Sequence, residues 1–333
     1  LNFSLNPSLL FLKDRFAGRH PDISTLIKGF LADIATNYSN YKRRAVMLVE
    51  NRINQIDLAD AFVQRLDRLH SAPKVAQQVL KLTRDPSSKL DDLVKCIEHD
   101  PGLAAKLLQV VNSSKYGVSR QITSIKHAVS YLGKETIRML TVSFSMVESL
   151  TKGSKGRIFV DYWQRALTIA SISSYLSTHH KCLKKDEAYT AGLLADVGIL
   201  VFSQVDRDEY SLIYESHPHG EALIIAEQQY FDFDHALLGA RLLNHWDIPQ
   251  EIVTAIENHH GTGQHGCPLG VALRTGSLLA GSLWNCSSAE YLEAEEILVS
   301  FFDLSEEQIE TMIEECKQDI AESAEFFGVN LEE

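Results

Sequence analysis

The sequence is short of everything that would let it pair covalently, cross a membrane or build a sheet. Its five cysteines, Cys96, Cys182, Cys267, Cys286 and Cys316, are odd in number, scattered, and form no CxxC pair. A disulfide framework or zinc knuckle is therefore not expected. They are expected instead as small buried apolar residues in a protein of the reducing cytoplasm. No segment offers the ~20 uninterrupted apolar residues of a membrane span. No secretory signal is visible either, although the chain starts at Leu1 without a methionine. No run alternates apolar and polar residues over a strand's length, and Gly-turn hairpin patterns are missing. Positive charge is also scarce: a formal net charge of -12 argues against a large non-specific nucleic-acid surface. Walker and GxSxG sequences do not occur.

What remains is ordinary globular material. The 333 residues are 45% apolar and 23% charged, enough for a sizeable core in two domains, or in one domain with extensions. Acid concentrates in 290–296 and 306–333. The stretch Lys106, Lys115, Arg120, Lys126, Lys134, Arg138 is locally basic and is expected as a solvated helix face.

Helical spacing runs throughout. Beyond His20-Pro21, the residues Ile27, Phe30, Leu31, Ile34, Tyr38 and Tyr41 keep the three-and-four rhythm of one apolar face. Such a long N-terminal helix would lie across the main domain or pair with a second copy of the chain. Pro73 opens a helix, and Ser88 is expected to cap Leu90–Glu98. Asp100-Pro101 starts a helix to Asn112, and Ser124 caps one ended by Gly133. The polar run 151–156 reads as a linker between two helical lobes. Helices are expected near 161–177, 186–195, 220–230, 234–244 and 249–259. Ser305-Glu306-Glu307-Gln308 is a capping box, with Leu304 and Ile309 as its staple.

Candidate chemistry is sparse. Gly261-x-Gly263-x-x-Gly266 follows a helix rather than a strand, so it reads as a C-cap and loop instead of a dinucleotide fingerprint. His217-Pro218-His219 is expected at the surface. More informative are polar residues on inward-facing helical positions. Asp196 follows Tyr189 and Leu193 by seven and three on a helix taken to continue. His235 shares a face with Leu238, Gly239 and Leu242. His259 and His260 follow Ile252, Val253 and Ile256, and Arg165 shares a face with Ile169, Ile172 and Leu176. Burying any of these unpaired costs ~2–7 kcal/mol, so they should converge.

The order of elements resembles the HDOD family, the HD-related output domains of bacterial signalling proteins. The likeness runs from about Arg68 to His260. In the first lobe it rests on Asp85-Pro86, Ile97-Glu98-His99-Asp100-Pro101-Gly102-Leu103, Val111-Asn112-Ser113, Tyr116-Gly117 and Ile122-Thr123-Ser124-Ile125. In the second it rests on Tyr162-Trp163, on 191–198, on His235 with Gly239-Ala240 and Trp246, on Ile248-Pro249, and on His259-His260. The resemblance implies an all-α fold of two helical lobes. It divides the chain into an N-terminal helical extension (1–67), an HDOD domain (68–262, with lobes 68–150 and 157–262) and a C-terminal helical extension (263–333).

The second lobe is similar to the HD metal-dependent phosphohydrolases, in which two histidines and two aspartates hold a metal that activates water. At those positions this chain has Arg165, Ala195, Asp196 and, on a loose alignment, Ser277, so only Asp196 survives. A hydrolytic site needs about three protein ligands and an open position, so the ancestral site is expected to be lost. The resemblance therefore implies a non-catalytic signalling or regulatory module that binds a partner protein or a small, anionic ligand. The alternative is a divergent metal-dependent phosphohydrolase acting on a nucleotide or cyclic dinucleotide. No cofactor is expected beyond an adventitious divalent metal on Asp196, His235, His259 and His260. Arg165 is expected to meet Asp196 in their place, directly or through one water, with the histidines lining the same cavity.

Overall fold

The computed structural model describes residues 50–67, 73–84, 87–113, 116, 118–151, 157–261, 267–282 and 285–327. The face Ile27–Ile34, residues 152–156 of the expected linker, and Gly263 and Gly266 lie outside the described residues. The chain divides into two units, Leu1–Gln55 and Ile56–Glu333. In the second, residues 56–67 are helical and are labelled α1. Among the described residues every regular element is a helix and there is no strand. The all-α expectation holds.

The first lobe comprises α2 (Lys74–Arg84), α3 (Leu90–Glu98), α4 (Pro101–Val111), α5 (Ile125–Leu132) and α6 (Lys134–Thr151). Its punctuation follows side-chain chemistry. Asp100 accepts from the Leu103 N–H at 3.1 Å ahead of Pro101, and Ser124 accepts from the His127 N–H at 3.2 Å. Gly133 closes α5 with a positive φ of 90°. One cap differs from expectation: α3 is preceded by Lys89, whose N–H is satisfied by Asp92 at 3.0 Å. Ser88 turns away to the Leu82 carbonyl and to Lys134.

α6 is buried on nearly every side and forms the lobe's axis. Its inward Thr141 and Ser143 donate to their own helix at the Ile137 and Met139 carbonyls, which makes them tolerable there. The basic stretch is not uniformly solvated. Lys106 and Lys126 pair with Glu148 and Asp91, while Arg138 is buried beside Glu135. The cysteines also depart from expectation. None is joined in a disulfide, but only Cys96 and Cys316 are buried, and Cys182, Cys267 and Cys286 are exposed.

The second lobe is built on α7 (Arg157–Leu176), with α8 (Lys185–Leu194), α9 (Val197–Val205), α10 (Arg207–Ser216), α11 (Gly220–Phe231), α12 (His235–His245) and α13 (Gln250–Glu257). Beyond it come α14 (Pro268–Ser282), α15 (Ala289–Ser300) and α16 (Glu306–Phe327). α14 and α16 both pack on α7. The predicted capping box is present: Ser305 N–H donates to Gln308 Oε1 at 2.8 Å and Gln308 N–H to Ser305 Oγ at 3.3 Å.

Two glycines let helices press against α7. A Cβ on Gly192 of α8 would sit 2.4 Å from the Ala170 Cα, and one on Gly276 of α14 would sit 2.9 Å from the Ile169 Cα. Both helices therefore lie one side chain closer than usual, against the turn of α7 that follows Arg165. The stretch Lys185–Val205 is apolar and long enough to cross a membrane, but it is 94% buried inside the protein and is interrupted at Asp196.

Candidate functional site

Asp196 stands in the break between α8 and α9, with φ −97° and ψ 17°. The helix expected to carry it inward does not continue. The chain turns there instead and leaves the carboxylate fully buried. Around it four elements deliver polar side chains. α7 supplies Arg165, α12 begins with His235, the turn after α13 holds His259 and His260, and α14 supplies Ser277.

The two carboxylate oxygens have different company. Oδ2 accepts from Arg165 Nε at 2.7 Å, and Arg165 Nη2 donates to Ser277 Oγ at 3.0 Å. Contact with Asp196 is thus direct, through one hydrogen bond instead of the two that a guanidinium fork can make. Oδ1 has no hydrogen-bond partner and lies 3.3 Å from His259 Nε2 and 3.6 Å from His235 Nε2. The loosely aligned Ser277 does fall beside Arg165, so three of the positions compared with the HD set meet in one place.

Each histidine is oriented by a neighbour. His235 is held by Glu227, which accepts from its Nδ1 at 2.6 Å. His259 Nδ1 contacts the Ile256 carbonyl at 2.7 Å, turning Nε2 toward Asp196. His260 lies tilted against His259, with ring centroids 3.7 Å apart, and its Nε2 approaches His235 Nε2 at 2.7 Å. Arg274 Nη1 fixes this turn by donating to the His260 carbonyl at 2.8 Å.

The electrostatics follow from the geometry. Burial opposes ionisation of Asp196, but the Arg165 guanidinium and the nearby His235 and His259 rings hold its carboxyl well below the ordinary range. Burial likewise opposes an imidazolium at His235, yet Glu227 and Asp196 raise it to about 10. Burial and the adjacent rings of His259 and His235 depress His260. The short His235–His260 contact thus joins a ring pushed toward its charged form to one pushed toward its neutral form.

Sequence reasoning overlooked Glu227, which is fully buried and accepts from the Tyr210 hydroxyl at 2.7 Å as well as from His235. The signal was available: Leu223, Glu227 and Phe231 follow one another at intervals of four, putting an acid in an apolar stripe. Gly239 shares the face of His235, as the spacing predicts. It admits α9, since a Cβ there would sit 3.1 Å from Val197 Cγ1. Of the His217–His219 pair only His217 is exposed. His219 is half-buried and depressed, first by burial and then by Arg165.

One donor atom from each of Asp196, His235, His259 and His260 lies within 4.8 Å of the others. Such a set fits a single ion: two of its atoms, Asp196 Oδ1 and His259 Nε2, are buried and lack a partner.

Fold and site together define the class: an all-helical protein that gathers Arg165, Asp196 and three histidines in a buried polar cluster. The model of the HDOD domain matches residues 69–262, and the chain belongs to the HDOD family. Membership supports a regulatory or HD-related role. An uncharacterized protein of Treponema pallidum (strain Nichols) is 25% identical over 220 residues, covering 64% of this chain and 41% of the relative. The chain therefore spans under half the length of that curated relative.

Several solved structures share the fold. A proposed phosphohydrolase from Shewanella amazonensis SB2B aligns with TM-score 0.63 and 21% identity, over 80% of this chain and 97% of that one. An HDOD domain protein of unknown function from Geobacter sulfurreducens gives 0.60 and 21%, over 82% and 98%. A proposed signal transduction protein from Marinobacter aquaeolei VT8 gives 0.59 and 22%, over 83% and 66%.

Proposed function

We propose that this chain is a non-catalytic regulatory module of the bacterial cytoplasm, acting by binding a partner protein or a small ligand. One observation carries the reading: the guanidinium of Arg165 is bonded to Asp196 Oδ2 and to Ser277. A fixed monovalent cation occupies the ground between three positions where the HD phosphohydrolases gather metal ligands. A divalent ion approaching that oxygen meets like charge, and Arg165 has no lone pair to offer it.

The α1 helix is suited to carry a signal into this lobe. Its Asp60 takes Arg241 of α12 in a two-pronged pair at 2.6 and 2.8 Å. Its Phe62 packs edge-on against Phe202, Phe231 and Phe233. Phe231 ends the helix that bears Glu227, and Phe233 lies two residues before His235. A partner that displaced α1 would act directly on the elements that hold the histidine cluster.

The test is hydrolysis. Purified protein loaded with manganese, iron or zinc is expected to leave nucleotides and cyclic dinucleotides intact. Turnover that vanished in Asp196→Ala would overturn the reading. A divergent phosphohydrolase is the second reading, favoured by the Asp196, His235, His259 and His260 donor cluster. An ion held there would supply Lewis acidity and an activated water.

A further inference from the structure

We infer that the cleft bounded by α1, α2, α6 and the end of α12 binds a small, uncharged heteroaromatic molecule carrying one hydrogen-bond acceptor. The cleft uses none of the residues of the Asp196 cluster, and the inference stands whatever that cluster does.

The cleft has a volume of about 460 Å³, inside the span of roughly 300–1,000 Å³ usual for small organic ligands. Its inner surface is apolar. α2 contributes Ala76 and Leu80, α6 contributes Val142 and Met146, and Trp246 enters from the turn that follows α12. Ala76, Val142 and Met146 are buried, and Leu80 is partly so. Charge is kept to the outside and comes in both signs. Asp67 at the end of α1 meets His245 at the end of α12 at 2.7 Å, and Lys81 and Asp247 are exposed.

The chemistry of the occupant follows from what this surface leaves unmet. Trp246 is only 8% exposed, and its indole N–H is buried with no hydrogen-bond partner among the described residues. A buried indole N–H ordinarily finds an acceptor, and one brought into the cleft would supply it. A charged ligand would leave water for an apolar wall that holds no counter-ion. A flat ring instead presents its face to the indole and its edge or face to the Met146 sulfur, both favourable contacts for an aromatic system.

Such a ligand would reach the rest of the protein through α12. That helix begins at His235 and ends beside Trp246, and α1 is tied to it by Asp60–Arg241 and Asp67–His245. Filling the cleft therefore braces α1, α2, α6 and α12 at one point.

The experiment uses the full chain, isotopically labelled at its indole nitrogens and titrated with quinoline, which is uncharged at neutral pH. Naphthalene, with the same two fused rings and no acceptor, is titrated in parallel. The chain has three tryptophans, so the Trp246 resonance is assigned by its loss in Trp246→Phe. Quinoline is expected to shift that resonance saturably, and naphthalene to bind roughly tenfold more weakly. Trp246→Phe keeps a ring in place without the N–H and should abolish the preference for quinoline. The ratio of the two affinities is read on the wild type alone and stands even if the variant does not fold. No saturable indole shift, naphthalene bound as tightly as quinoline, or a quinoline preference that survived in folded Trp246→Phe would each overturn the site. None of those results would touch the non-catalytic reading, which fails on hydrolysis.

Discussion

Glu227 grips His235 at two points, accepting from its backbone N–H at 2.8 Å and meeting its ring Nδ1 at 2.6 Å. The same carboxylate therefore caps the first turn of α12 and sets the direction of the ring, so helix start and site geometry are one interaction. Its other oxygen takes the hydroxyl of Tyr210.

Tyr210→Phe removes a hydrogen bond to a buried charged group and should cost roughly 1.5–3 kcal/mol in urea unfolding. Tyr214 is equally buried, but its hydroxyl has no hydrogen-bond partner. Tyr214→Phe should therefore be nearly neutral. Equal costs for the two changes would show that Glu227 does not organise this network.

Arg165→Ala should destabilise the metal-free protein by roughly 3–5 kcal/mol, because Asp196 is left as an uncompensated buried charge. The double variant Arg165→Met, Asp196→Leu should recover much of the loss. A double variant no more stable than the single one would mean that the charges matter less than the shape they fill.

Much of this architecture is legible from residue pattern. The caps at Asp100, Ser124 and Ser305 are local, needing only a side-chain oxygen and an N–H two or three residues on, and all three are present. The Arg165–Asp196 contact was legible because two opposite charges on apolar faces must find each other. Ser88 was not, since its hydroxyl is claimed by Leu82 and Lys134, which only the tertiary fold brings near. Asp196 was placed correctly inside but for the wrong local reason, because its helix breaks where a continuous apolar run gives no warning. The division of its two oxygens between a cation and two rings depends on χ angles, which no spacing rule reports.

Gly198→Ala should be severely destabilising. A Cβ at that position would lie 2.0 Å from the backbone oxygen of His235, and backbone cannot rotate away as a side chain can. Overpacking typically costs 1–3 kcal/mol, and about 3 kcal/mol or more is expected here, read from the urea midpoint. A mild effect would mean that α9 and α12 can separate freely.

The metal-free protein should be most stable between the two titrations at its core. Asp196 has a folded value below its ordinary 3.8, so its contribution is present above that pH and is lost as pH falls through the folded value. His235 is raised from 6.5 to about 10, so its contribution is complete below pH 6.5 and fades as pH climbs to about 10. Urea midpoints measured across the alkaline range should decline, and His235→Gln should flatten the decline. A wild-type profile already flat between those values would sink this account.

The match to the HDOD model stops at residue 262, yet α14 begins only six residues later and lies against α7 without an intervening side chain at Gly276. From there it reaches back with Ser277 to Arg165 and with Arg274 to the turn bearing His260. The segment that sequence likeness would discard is therefore a wall of the pocket. A version of the protein ended at the family boundary would expose the backbone groove on α7, release Arg165 from one of its two anchors and free the His259–His260 turn. Excising the domain by its recognised limits would yield a chain that matches the family in every residue and has lost the cluster's shape.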